Sequence, residues 1–99
     1  METLQKELTD LHHTIRAAVE VLIELSGISM QEYALKYGVS LHDLECIHLL
    51  IFDSISEIVV KQLVGASTAR KYGKLTRLAR IEKQQEWEDL VYDLFFLKR

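Results

Sequence analysis

Arg70, Lys74, Arg77 and Arg80 recur at steps of four, three and three, which on a helix gathers four cations into one stripe. The chemistry that suits such a stripe is phosphate neutralisation. The segment around it, TARKYGKLTRLARIEK from 68 to 83, has six basic side chains and one acidic, a net of +5 in a chain whose total is −3. Residues 1–67 hold four basic and ten acidic side chains, a net of −6, so the stripe has two alternative partners: an external phosphate backbone, or the acidic remainder of the bundle or of a dimer.

Other reactive groupings lead nowhere comparable. His42 and Cys46 are four apart, with Asp43 and His48 close by in sequence, but a tetrahedral metal site needs three or four converging ligands and only two are well placed. GASTARKYGKLT has the flavour of a phosphate-binding loop. Its glycines, Gly65 and Gly73, are separated by seven residues instead of four, and Leu75 follows Lys74 where Ser or Thr is required. No Ser, Cys or Lys has a recognisable base beside it, and no carboxylate pair sits in an apolar setting. We therefore expect no enzymatic activity, no metal and no cofactor.

The elements that must carry the stripe are helical. Proline is absent and the glycines fall only at 27, 38, 65 and 73. Leu4, Leu8, Leu11, Ile15, Ala18, Leu22 and Leu25 alternate steps of four and three, a heptad seam that predicts a long first helix over about 2–26, ended by Gly27 and suited to homodimerisation. Ser29 with Glu32 forms a capping box for a short helix to Tyr37, Gly38 supplies a turn, and Ser40 with Asp43 starts a third helix. That helix either continues through Ile47, Ile51, Ile55 and Ile58 toward Val64 or breaks near Asp53, where Ser54 and Glu57 offer another cap. SEIVVKQLV is β-branched enough for a strand in a hairpin wing, yet no turn dipeptide follows it, so helix is preferred. From 68 to 97 the spacing is helical in two halves. Tyr72, Leu75 and Ala79 share a face in the first, and Trp87, Leu90, Val91, Leu94 and Phe95 form a stripe in the second, read as core with Tyr92 and Phe96 partly off it. Lys98 and Arg99 suit the negative end of the helix dipole. The fold class expected is all-α: one domain over 1–99, a compact bundle of four to five helices with a long N-terminal helix.

Within this frame Ala34 and Gly38 take the small and turn positions of a helix-turn-helix, while Tyr33, Tyr37, Val39, Leu44 and Ile47 take its apolar ones. The segment from Gln31 to Ile47 resembles the helix-turn-helix of phage-repressor-type regulators, with the whole unit at about 29–52. The resemblance implies a DNA-facing surface of Ser40, Leu41, His42, Glu45, Cys46 and Leu49. It departs from the family's pattern in having no Lys or Arg there, and Asp43 and Glu45 repel phosphates. Two functions follow. The preferred one is a small dimeric DNA-binding transcriptional regulator, with Arg70, Lys74, Arg77 and Arg80 on the phosphates of double-stranded DNA. The alternative is a modulator of the antirepressor or inhibitor type, docking a regulatory protein on the acidic, apolar face of the third helix.

Composition agrees with a soluble chain. Hydrophobic residues are 48% and charged residues 27%, and no apolar run is long enough for a bilayer, so no membrane role is expected. The start METLQKELTDL has no secretory pattern and the single cysteine permits no internal disulfide, which points to the cytoplasm.

Overall fold

The computed structural model describes residues 2–97. Five α-helices follow in order: α1 (Glu2–Ser26), α2 (Met30–Tyr37), α3 (Leu41–His48), α4 (Glu57–Val64) and α5 (Ala66–Tyr92), the last continued by a π-helical turn at Asp93–Leu97. The all-α expectation holds, with no strand among the described residues, so SEIVVKQLV is helix. None of the described helices is long and apolar enough to cross a membrane. Lys98 and Arg99 lie outside the described residues, and the side chain of Phe96 does too.

The helix boundaries follow local chemistry. Ser29, Ser40 and Ser56 each sit in extended backbone and accept a hydrogen bond from the amide three residues on, which satisfies one of the orphan donors of α2, α3 and α4. Gly38 closes α2 at φ 66°, a left-handed conformation cheap only for glycine. The open question about the third helix is resolved as a break. Leu50 takes φ 61°, its amide bonds to the Ile47 carbonyl, and the Ile51 amide bonds to that of Cys46. Those two bonds are the Schellman arrangement with leucine where glycine is usual, so α3 ends there. The next helix starts from Ser56 instead of Ser54.

One core joins all five helices. Leu11, Ile15 and Val19 of α1 meet Tyr33 and Ala34 of α2, Leu44 and Ile47 of α3, Val60 and Leu63 of α4, and Ala69, Tyr72 and Leu75 of α5. Ile15, Leu44, Ile47 and Val60 are completely enclosed, each stabilising the fold by roughly 1.5–3 kcal/mol relative to exposure. Polar links fasten the edges: Glu20 of α1 holds His48 of α3 at 2.8 Å and Arg16 at 3.1 Å, and the Gln62 amide donates to the Tyr37 carbonyl at 3.2 Å. The His48 and Arg16 hydrogen bonds draw the Glu20 carboxyl below its usual range.

The first-helix seam divides. Leu11 and Ile15 are buried inside this chain and Leu4 and Leu8 pack on the same core, so these four do not form an outward dimer seam. Ala18 is half-buried, and only Leu22 and Leu25, at 37% and 79% exposure, face outward. The physical reason is that α2, α3, α4 and α5 all pack on α1, so its apolar face is used up inside the chain.

The expected core at the C-terminal end is also corrected. Gln5 and Leu8 face Arg80 and Lys83 across a cleft, and His12 reaches Tyr72 with ring centroids 5.9 Å apart, so α1 and α5 run antiparallel. The start of α1 therefore lies beside Lys83. Beyond it no other described helix covers α5: from Lys83 to Phe95 every residue is exposed except half-buried Val91, and Trp87, Leu90, Leu94 and Phe95 lie outside the core. This overhang makes the molecule 63 Å long, with a radius of gyration of 17.2 Å against about 13 Å for a compact chain of this size.

The joint between α5 and the body is the buried Tyr72. Its hydroxyl donates to the Ile55 carbonyl at 2.6 Å and lies 3.3 Å from that of Phe52. Tyr72→Phe removes the only side-chain donor these carbonyls have among the described residues, and thermal or urea unfolding is expected to show a loss of ~1–2 kcal/mol. An unchanged midpoint would mean that packing alone seats α5.

Candidate nucleic-acid interface

Arg70, Lys74, Arg77 and Arg80 are all exposed, whereas Tyr72 and Leu75 are buried and Ala79 half-buried. The two faces of α5 separate as the spacing predicted. Lys71 and Ser67 are exposed as well, so the solvent side of the first half of α5 runs Ser67, Arg70, Lys71, Lys74 at i, i+3, i+4 and i+7. Among the described residues this stripe makes one ion pair, Arg77 Nη1 to Glu57 Oε1 at 3.4 Å, between two exposed side chains. Such a pair contributes little and leaves the field of the stripe almost uncompensated. The stripe is not spent on the acidic body.

Arg80 stands apart from the other three. It borders a cleft of about 320 Å³ with His12, Phe52, Asp53 and Tyr72, at the edge of the helix nearest α1. His12 lies flat on the Phe52 ring, with centroids 4.1 Å apart and planes 2° from parallel.

The surface of α3 is of another kind. Ser40, His42, Glu45 and Leu49 are exposed, Leu41 and Asp43 half-buried, and Cys46 is buried, so Cys46 drops out of the outward face. Its sulfur lies 3.6 Å from His42 Nε2, a contact of two potential ligands without a third, and the described residues contain no group of three or more that could hold a metal. Tyr37, expected among the locking residues, is about half exposed and leans on buried Tyr33 with centroids 4.5 Å apart. Leu35, Leu49 and Ile51 complete an exposed apolar fringe around α2 and α3. Their packing partners are each other and α1, while α5 packs on α4 and α1.

Gly73 was legible only as a break in the motif comparison. In the structure it is a buried helical residue, and a Cβ at this position would collide with the Glu57 carboxylate. The end of the Glu57 side chain occupies the space over this glycine, where it meets Arg77.

Burial, and to a lesser degree the charge of His13, holds the His12 imidazole below its ordinary pKa of 6.5, with Asp53 opposing. The unfolded chain then binds the proton more readily than the folded one. This contribution to stability is complete above pH 6.5 and is lost as the pH falls from there through the lowered folded value. Melting temperatures measured from pH 7.5 to pH 5 are expected to decline, and His12→Gln to flatten that decline. An identical decline in the variant would place its source elsewhere.

No protein-family model, no curated protein and no solved structure matches this chain.

Proposed function

We propose that this chain is a small DNA-binding transcriptional regulator that acts as a dimer and holds duplex DNA by the basic face of α5. The observation that carries this reading is the basic stripe: Arg70, Lys71, Lys74 and Arg77 are exposed on the solvent side of α5 with one weak ion pair among the described residues, in a chain that is otherwise acidic. Duplex DNA is the partner whose charge density fits such a stripe, because counterions released from its phosphates favour binding. Leu22, Leu25 and the overhanging Trp87, Leu90 and Leu94 leave apolar surface for a second copy.

The second reading, a modulator that docks a regulatory protein, draws on a different observation. Leu49 is 64% exposed at the end of α3, a helix with an exposed Glu45 and no Lys or Arg, and Leu35 of α2 is 86% exposed. That surface suits a protein better than a phosphate backbone.

Affinity for duplex DNA measured by fluorescence anisotropy over a range of salt separates them. The DNA reading expects steep salt dependence, with Lys74→Gln plus Arg77→Gln lowering the logarithmic slope by about two per protomer. Absence of salt-dependent binding to any duplex, including genomic fragments, removes it. Loss of a protein partner on changing Leu41, Glu45 or Leu49 would then favour the modulator.

A further inference from the structure

The surface available for reading bases is not where the helix-turn-helix resemblance puts it. On α3 and its caps the exposed side chains are Ser40, His42, Glu45, His48 and Leu49, with no Lys or Arg. A second helix pair lies further along the chain. α4 is eight residues long, Gly65 turns the backbone at φ 101°, and α5 leaves at once from Ala66. No other two helices pack as extensively: Val60 and Leu63 lie against Ala69 and Tyr72, and Gly73 admits Glu57. The residue four before the turn is exposed Lys61 rather than a small one, and the Glu57 side chain fills the space over Gly73 of α5. The fastening of Tyr72 to the carbonyls of Ile55 and Phe52 fixes the rotation of α5 about its axis and therefore which face it presents.

From this geometry we infer that α5, not α3, is the helix that enters the major groove, with Ser67, Arg70 and Lys71 in its first turns reading base edges while Lys74 and Arg77 follow the phosphates. The inference rests on the DNA-binding reading and names the site within it. An α-helix fits the major groove, the second helix of such a pair conventionally presents its N-terminal residues to the bases, and arginine reads guanine through two parallel hydrogen bonds. Charge along α5 sets which end is used. Residues 84–97 carry four acidic side chains and no basic one, so the distal half is repelled by phosphates and leaves the groove. Only about the first four turns, some 20 Å of helix, lie along the DNA.

The test begins with selection of a preferred duplex from a random library by the wild-type protein. Affinities for that duplex and for an unrelated one of equal length are then compared at fixed salt. Arg70→Ala and Lys71→Ala are expected to lower the ratio of the two affinities by about tenfold or more. Arg70→Lys keeps the charge and loses the guanidinium fork, so it should lower the ratio while leaving affinity for the unrelated duplex nearly unchanged. Leu41→Ala and Glu45→Ala should leave the ratio where it was. All four side chains are exposed or half-buried, so the fold tolerates each change. Sequence preference that follows Leu41 and Glu45 but not Arg70 and Lys71 overturns the inference and keeps the DNA function. So does a wild-type protein that binds duplex tightly without selecting any sequence. A wild-type protein that binds no duplex at low salt overturns the function and the inference together.

Discussion

The hydroxyl of Tyr72 fixes the relation between the bundle and its longest helix. It enters the core from α5 and bonds to carbonyls of the connection between α3 and α4, a stretch whose backbone has left helical geometry and needs donors from elsewhere. Burial keeps the phenol protonated by raising its pKa, so the bond persists across ordinary conditions. Phe52 stacks on His12 of α1, and the Tyr72 ring lies tilted beside both, 5.9 Å from each, which ties α1, the connection and α5 into one joint. Rotation of α5 about its axis would break this joint, and the rotation of α5 decides where its cations point.

Charge is the second organising constraint. Among the described residues, the one ion pair between the acidic side chains of the first 67 residues and the basic ones of 68–83 is Glu57 with Arg77. Glu20 spends its carboxylate on Arg16 and His48 within the body. The first half of α5 thus keeps a positive field little offset by the body, while the second half is acidic and apolar. A single helix carries a cationic surface at the body and an unburied Trp87, Leu90 and Leu94 stripe beyond it. These suit two different partners, a polyanion and an apolar protein surface.

How much of this was legible in the sequence depends on which physical signal each feature left. The caps did leave one: Ser29 and Ser40 bond as their spacing implies, and Gly27 and Gly38 hold the positive φ expected of them. Leu50 did not, because leucine in a left-handed conformation is contrary to its own preference and is held there by burial against the core. The same periodicity in α1 serves an internal core at Leu11 and Ile15 and an exposed surface at Leu25, since spacing states which residues share a face and not what covers it. Trp87 and Phe95 read as core for the same reason. The exposed basic face was visible from spacing, but its place on the second helix of a close-packed pair became apparent only with the Glu57 side chain over Gly73 and the Tyr72 joint in view.

The central claim is that duplex DNA meets the first half of α5. The most direct measurement is a titration of ¹⁵N-labelled protein with duplex DNA, followed by amide shifts and line broadening along the chain. The account predicts perturbation concentrated at residues 66–80, with the amides of Ser40 to Leu49 and of the overhanging half of α5 close to their free positions. Perturbation centred on Ser40 to Leu49, with residues 66–80 unmoved, would contradict it.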